Sequence, residues 1–222
     1  MSYFGYLLII ILLTLLPQIW VHSAYRKYSN VKLQNNKSGE TIVKNMLFEN
    51  GVGELRINPI GGTLTDHYNP KDKSINLSMD NFNNGTIASV AIAAHETGHA
   101  IQDHKGYFFL KLRRSLGPVT IVASNSSWVF IYLGFLLFST PLIWFGIILL
   151  GIVVLFDLVT LPVEINASSR AKKYLASTGT FSNDELSGVN AMLTAAAFTY
   201  IASTLAGILQ LIRLLGIVNR DD

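Results

Sequence analysis

Residues 115–156 read SLGPVTIVASNSSWVFIYLGFLLFSTPLIWFGIILLGIVVLF, a run of 42 amino acids without a charged side chain. A helix needs about 20 apolar residues to cross a bilayer core of about 30 Å, so this run predicts two transmembrane helices. The small and polar residues Ser139-Thr140-Pro141 predict the turn between them. Asp157 and Glu164 are the first charged residues after the run, and they mark the end of the second span.

Two further uncharged runs predict two more membrane helices. Residues 3–21 form a run of 19, and residues 187–212 form a run of 26. No basic residue precedes the first run, which favours a retained anchor over a cleaved signal peptide. The second run is rich in Ala, Ser, Thr and Gly, which allow membrane helices to pack closely. Arg213 follows it within apolar sequence, so the sequence leaves open whether this segment crosses fully.

The composition of the 222-residue chain agrees with a membrane protein. Hydrophobic residues make up 50% of the chain and charged residues only 14%, against about 25% charged residues in an average soluble protein. There is no cysteine, which excludes disulfides, thiolate metal sites and cysteine nucleophiles. The net charge of +3 and the lack of a Lys/Arg block argue against a nucleic-acid partner. We predict a mainly α, polytopic membrane protein with about four transmembrane helices.

The charged part of the chain predicts a small α+β portion. Apolar residues at helical spacing indicate a helix from Ser38, and a strand is expected to follow near Leu55. Two short strands are expected on either side of a turn at residues 69–72. A second helix is expected to begin at Asn84 or Thr86, because both residue types cap helix N-termini well.

The basic residues predict the orientation of the chain in the membrane. Residues 22–118 hold 12 of the 17 Lys and Arg, and residues 162–190 hold three more. The positive-inside rule places both segments in the cytoplasm and the N-terminus outside. Four spans give the same arrangement, so the segment after the hairpin is expected to return to the face that carries residues 22–118.

The second predicted helix carries a metal-binding pattern in TIASVAIAAHETGHAIQDHKGY, residues 86–107. His95 and His99 are four residues apart, so they lie on one helix face and both imidazoles can reach one Zn²⁺. Glu96 lies beside them, where it can hold a water bound to the metal. Gly98 has no side chain, which allows a neighbouring element to approach closely. The HExxH pattern also occurs by chance, so the pattern alone does not establish a site.

A catalytic zinc needs a third protein ligand and an open position for water. His104 lies five residues after His99, whereas the metzincin pattern places Gly three and His six residues after the second histidine. Gln102 and Lys105 occupy those places here. We therefore interpret His104 as an ordinary polar residue at the helix end. The intramembrane class that uses a later Asp-Gly ligand also fits poorly, since the chain contains no Asp-Gly.

Glu164 is the remaining candidate for the third ligand. It follows a span on the same predicted face of the membrane as His95, and acidic residues near spans are rare enough to suggest function. A downstream carboxylate completes His₂Glu zinc sites. The alternatives are an ion pair with Arg170 or Lys172, or an interfacial carboxylate.

Several motifs together resemble a known family. HETGH, the upstream LTDHYNP, the following GHAIQ and LRRSLGPV, and the later LPVEINASSRA resemble the YugP-like neutral zinc metallopeptidases of bacterial membranes (zinc peptidase 2). More distantly, the chain is similar to the HtpX and CAAX prenyl protease group. The resemblance implies a zincin-like, membrane-bound, zinc-dependent peptidase of the bacterial cell membrane with cytoplasmic catalytic parts, and it supports Glu164 as a ligand. No substrate is implied.

The chain departs from the wider group at Ser168, where that group has Asp, and this leaves open which residue supports a zinc-bound histidine. Asp157 is two helical turns before Glu164 and is one hypothesis for this support, with pairing to a basic residue as the alternative. His67, Arg170 and Tyr200 are candidate oxyanion donors. The structural alternatives are a surface position without a function for His67 and a helix-packing role for Tyr200.

The resulting functional hypothesis is peptide-bond hydrolysis with one Zn²⁺ per chain, bound by His95, His99 and Glu164. Glu96 is expected to assist the attack of a zinc-bound water as general base. An endopeptidase acting on a protein or peptide is favoured over an exopeptidase. The alternatives are a catalytically inactive membrane protein with a structural metal site, and a carboxylate-lined transporter. The oligomeric state is not predicted.

This hypothesis divides the chain into five segments with distinct roles. They are an N-terminal anchor (1–21), a cytoplasmic catalytic portion (22–118), a transmembrane hairpin (119–161), a cytoplasmic segment with the third ligand (162–190), and a C-terminal transmembrane helix with its tail (191–222).

Overall fold

The structure, a computed structural model, describes residues 3–219. The protein is mainly α-helical, with a small three-stranded sheet in the middle of the sequence. In chain order the described elements are α1 Tyr3–Tyr28, α2 Gly39–Glu49, β1 Arg56–Ile60, β2 His67–Asn69, β3 Ser74–Ser78, α3 Met79–Asn83, α4 Ile87–His104, α5 Phe108–Leu136, α6 Thr140–Ser177 and α7 Asn183–Val218.

Four of the described helices are long and apolar enough to cross a membrane, which confirms the predicted mainly α, four-span architecture. They contain the residues Phe4–Tyr28 of α1 and the whole of α5, α6 and α7. Helices α5 and α6 are separated by only three residues, at the predicted hairpin turn. Pro17, Pro118 and Pro162 lie inside α1, α5 and α6, a position that membrane helices tolerate better than soluble ones.

The chain forms two compact units, and each is described by itself. The hairpin unit comprises the described residues of 1–16, 108–162 and 199–222. The motif unit comprises residues 17–107 and 163–198 and contains the HETGH motif. The borders between them fall inside α1, α6 and α7. The five segments inferred from the sequence stay a prediction.

Small residues bring α5 and α6 together within the hairpin unit. A Cβ on Gly134 would lie 2.5 Å from Ile143 Cγ1, and a Cβ on Gly146 would lie 2.7 Å from Ser127 O. Close backbone approach of this kind is how membrane helices gain packing energy when lipid is as apolar as their side chains. Arg213 lies inside α7, and its guanidinium stands 3.9 Å from the centre of the Tyr6 ring, a cation–π contact.

The sheet of the motif unit has the strand order β1-β3-β2. The central strand β3 pairs in parallel with β1 and antiparallel with β2, and all five of its residues are buried. The register of the antiparallel pair joins His67 to Asn76 and Asn69 to Ser74. Both predicted short strands and the turn between them are therefore present, and β2 lies at an edge of the sheet.

The helices of the motif unit begin where the sequence predicts. Ser38 caps α2, and its hydroxyl accepts a hydrogen bond from the backbone N–H of Thr41. Thr86 caps α4 in a capping box with Ser89, so two N–H groups at this helix end are satisfied. At the start of α7, Ser182 and Glu185 form the same reciprocal arrangement.

The core of the motif unit explains why α4 is held in place. The buried face of α4 packs against α2 and the sheet, and its apolar members recur at helical spacing. This face consists of Ile87, Val90, Ala91, Ala94 and Ile101. The helix that carries His95, Glu96 and His99 is therefore held by its apolar face and by the cap at its N-terminus.

Candidate metal centre

Two imidazoles converge on one face of α4. The ring centres of His95 and His99 are 4.8 Å apart and the rings are nearly perpendicular, at 86°. Both side chains are largely buried, with 14% and 10% of their surface exposed. This geometry follows from the four-residue spacing, which places the two side chains one helical turn apart.

Glu164 of α6 completes the cluster. Its Oε2 lies 3.2 Å from His95 Nε2 and 3.5 Å from His99 Nε2, and the carboxylate side chain is only 3% exposed. One ligand atom from each of the three residues lies within 4.8 Å of the others. Burial of a carboxylate is costly unless a cation or several hydrogen-bond donors compensate it. Two imidazole nitrogens and a carboxylate oxygen thus face a common point.

The cluster fits a zinc ion. Around a tetrahedral Zn²⁺ with ligands at about 2.0–2.2 Å, neighbouring ligand atoms are about 3.3–3.5 Å apart. The two nitrogen–oxygen separations, 3.2 and 3.5 Å, lie close to that value, and all three ligand atoms lie within 4.8 Å of one another. Two histidines and one glutamate are also the donor set of catalytic zinc sites that keep a fourth position open.

Gly98 makes this convergence sterically feasible. A Cβ at this position would lie 2.8 Å from Ala167 O and 3.1 Å from Ala167 Cα, both backbone atoms of α6. Because a backbone cannot swing aside as a side chain can, a larger residue would push the two helices apart. The close contact brings the turn that carries Glu164 against the turn that carries the histidines.

Glu96 lies beside the histidines, and a hydrogen bond from the sheet holds its carboxylate. Its Oε2 accepts a hydrogen bond of 2.9 Å from the backbone N–H of Tyr68 on β2. Burial raises the pKa of the Glu96 carboxyl, while the neighbouring His95 and His99 act in the opposite direction. The net upward shift makes Glu96 a better proton acceptor than an exposed glutamate.

Comparison with known proteins identifies the family. A family model described as "Putative neutral zinc metallopeptidase" matches residues 3–219. The chain belongs to this family. It is also 40% identical over 207 residues, 92% of each chain, to "Putative membrane protease YugP" of Bacillus subtilis (strain 168). No solved structure matches the chain.

Family membership agrees with the coarse features of the structure. The relative is named a membrane protease, and four described helices are suited to crossing a membrane, so the protein is a membrane protein. The family's description indicates a zinc-dependent peptidase, and the cluster of His95, His99 and Glu164 offers a site for zinc.

The second ring nitrogen of each histidine also has a partner. Ser168 Oγ lies 3.1 Å from His95 Nδ1, so the serine at the divergent position contacts the centre as a supporting residue. Gln102 Oε1 lies 3.0 Å from His99 Nδ1. Sequence reasoning missed Gln102 as a support, although its three-residue spacing from His99 places the two on one helix face.

Arg170, His67 and His104 are not among the hydrogen-bond partners given above for the imidazoles of His95 and His99. Arg170 donates from Nε to Asn166 Oδ1 at 2.8 Å. His67 is exposed, with Nδ1 2.9 Å from Thr65 O. His104 is exposed at the end of α4, as expected of an ordinary polar residue.

Asp157 and Tyr200 belong to the hairpin unit. Asp157 accepts a hydrogen bond from Ser203 at 3.4 Å, and the carbonyl oxygen of Tyr200 accepts one from Thr204. The hypothesis that Asp157 accepts a histidine N–H stays a prediction. Within the motif unit, the four ring nitrogens of His95 and His99 face Glu164, Ser168 and Gln102.

The electrostatics of the cluster favour a cation. Burial alone lowers the pKa of His99, but the hydrogen bond and charge of Glu164 and the charge of Glu96 outweigh it and raise the pKa above its ordinary value. Two carboxylates therefore make this position attractive to positive charge, and a divalent metal can supply it.

Proposed function

We propose that the protein is a membrane-bound zinc metallopeptidase of gluzincin-like type that hydrolyses peptide bonds with Glu96 as general base. The observation that carries the proposal is the meeting of His95 Nε2, His99 Nε2 and Glu164 Oε2 beside the Glu96 carboxylate. The family's description as zinc metallopeptidases supports it.

The three ligands leave room for chemistry. Structural zinc sites have four protein ligands, commonly cysteines, whereas the cluster found among residues 3–219 has three ligands and the chain has no cysteine. Bound in such a site, Zn²⁺ supplies a Lewis acid that polarises a carbonyl group and lowers the pKa of water. A structural site or a transporter gains no comparable support from the described residues.

Glu96 moves the proton in the proposed reaction. The Tyr68 N–H holds Oε2, so we assign proton transfer to Oε1. There the carboxylate takes a proton from the attacking water and later delivers it to the nitrogen of the leaving amine. The hydrogen bond from the strand fixes the direction in which the carboxylate faces, which keeps the base oriented before the substrate arrives.

We propose that the substrate binds along the edge strand β2. An extended peptide can add to the edge of a sheet through main-chain hydrogen bonds, and side-chain pockets then select its sequence. Because β2 contacts Glu96 through Tyr68, a peptide that lies along this edge passes the base. A peptide that lies along a strand edge can continue in both directions, which favours endopeptidase over exopeptidase activity.

The test uses purified protein in detergent with peptide substrates. Glu96→Gln keeps the shape of the side chain but removes the base, so hydrolysis should fall by about 10²–10⁴-fold while zinc content stays at one per chain. Glu164→Ala removes a ligand and should lose the zinc. Glu40→Gln changes a surface glutamate paired with Lys44 and serves as the control with normal activity. An active Glu96→Gln protein would overturn the assignment of the base.

A further inference from the structure

We propose that Gln102 is a positioning residue of the metal centre. It sets His99 in the imidazole form that presents a bare Nε2 to the metal, and it ties His99 to the turn that carries Glu164. The inference rests on the proposed zinc function.

Gln102 is completely buried, and both ends of its amide are used. Its Oε1 lies 3.0 Å from His99 Nδ1. Its Nε2 donates to the backbone carbonyl of Val163 at 2.8 Å and to Asn166 Oδ1 at 3.1 Å. One side chain of α4 thus contacts a metal ligand on its own helix and two residues of α6.

The Val163 carbonyl determines which way the amide faces. A carbonyl oxygen only accepts hydrogen bonds, so the Gln102 atom beside it must be the NH₂ group. The oxygen Oε1 therefore faces His99, and Nδ1 of His99 must donate. A neutral imidazole has a single N–H, so the proton on Nδ1 leaves Nε2 with a lone pair.

Arg170 and Asn166 enforce the same orientation from the other side. The Arg170 guanidinium only donates, and its Nε is 2.8 Å from Asn166 Oδ1. That contact identifies the Asn166 atom as the oxygen, which then also accepts from Gln102 Nε2. A reversed Gln102 amide would place its oxygen against two acceptors, so the two contacts exclude the alternative.

With the proton on Nδ1, the lone pair on His99 Nε2 faces the proposed metal position. His99 Nε2 lies 3.5 Å from Glu164 Oε2, and both atoms are acceptors in this imidazole form. Two acceptors facing each other in a buried place repel unless a proton or a metal ion lies between them. The orientation of Gln102 therefore prepares His99 for a metal before one binds.

The partner of His95 does not determine which ring nitrogen of His95 carries the proton. The Ser168 hydroxyl, 3.1 Å from His95 Nδ1, can either donate or accept, so it is compatible with both imidazole forms. Gln102 thus sets the chemistry of one ligand in a way that Ser168 does not. Val163 directly precedes Glu164, so the same amide also holds the third ligand's helical turn against α4.

The first experiment measures zinc affinity by chelator competition in Gln102→Met, which has a similar volume but lacks both hydrogen-bonding ends. Zinc binding should weaken about 10–100-fold, the usual effect of losing a partner of a metal-bound histidine. Thr97→Val is the matched control, because Thr97 is equally buried on α4 and its hydroxyl bonds only to Ala93 O within the helix. Gln102→Met with wild-type zinc affinity would overturn the proposal.

A second measurement examines the wild-type protein itself. It is ¹⁵N NMR of the metal-free protein with labelled histidines, at alkaline pH where the imidazoles are neutral, and a variant serves only to assign the signal. His99, assigned by the loss of its signal in His99→Gln, should carry its proton on Nδ1. A proton on Nε2 would overturn the proposal. A wild-type protein that binds no zinc would instead refute the proposed function, so the two failures are distinguishable.

Discussion

Glu96 and Glu164 have different neighbours, which is the basis for the different roles proposed for these two identical side chains. Glu164 is almost completely buried and faces two imidazole nitrogens, as a ligand must. Glu96 is also next to the histidines, but a backbone N–H holds one of its oxygens and the side chain is partly exposed. A base needs access to water and substrate, whereas a ligand needs only the metal, and the exposures of the two residues follow that difference.

Ser168 permits a test at the scale of a single hydroxyl. Ser168→Ala removes the partner of His95 Nδ1, and a metal-bound histidine that loses such a partner is less well oriented. We expect zinc affinity to fall about 10-fold, measured by chelator competition. Ser169→Ala is the control, because Ser169 is the exposed neighbour on the same helix. Equal affinities in Ser168→Ala and Ser169→Ala would contradict the assigned role.

At the scale of elements, the metal centre depends on the contact between α4 and α6. The sequence predicts each helix from local signals, such as the Thr86 cap and the long apolar run of α6. It predicts that Glu164 meets the two histidines, but it does not predict the contact of Gln102 with α6, because the partners of Gln102 are 61 and 64 residues away. Local capping and periodicity are readable from neighbours in sequence, but a hydrogen bond across a fold depends on packing.

Gly98 is the point at which this contact can be broken. Gly98→Ala should place a methyl group 2.8 Å from Ala167 O, forcing α4 and α6 apart. We expect a loss of stability of about 1–3 kcal/mol, typical of overpacking, together with weaker zinc binding. Thermal unfolding and chelator competition measure the two effects.

Gly151→Ala is the matched control for that substitution. Gly151 lies in α6, and a Cβ there would meet no atom within 4 Å. Replacing a helical glycine by alanine in open space should leave zinc affinity unchanged and stability equal or higher. If Gly98→Ala behaved in the same way as Gly151→Ala, close approach of the two helices would not be required for metal binding.

At the scale of the whole molecule, composition alone predicted the class of protein, and the four candidate spans confirm it. The ligands His95 and His99 could be proposed from their spacing, and Glu164 from its place after a span together with family resemblance. The hypothesis that Asp157 supports a histidine stays a prediction, because helical spacing relative to Glu164 says nothing about which groups already face the imidazoles. Distance along a helix predicts a shared face, not a shared partner.

The orientation in the membrane is the prediction that belongs to this scale. The distribution of Lys and Arg predicts that residues 22–118 and 162–190 lie in the cytoplasm and that the turn at residues 139–141 lies outside. Because the chain has no cysteine, a single introduced cysteine reports on one position only. A membrane-impermeant thiol reagent should label Ser139→Cys in intact cells, and Lys44→Cys only after the membrane is opened. The reverse labelling pattern would show that the orientation is inverted.

The motif unit is built from two stretches of chain, residues 17–107 and 163–198, and this affects how it is made. Glu164 follows His99 by 65 residues, which at about 5–20 residues per second takes about 3–13 s of synthesis. During that interval a nascent chain carries two histidines without their carboxylate partner. From the proposed ligand set we expect newly made protein to bind zinc weakly until Glu164 has been synthesised, and maturation to wait until the membrane hairpin has been made.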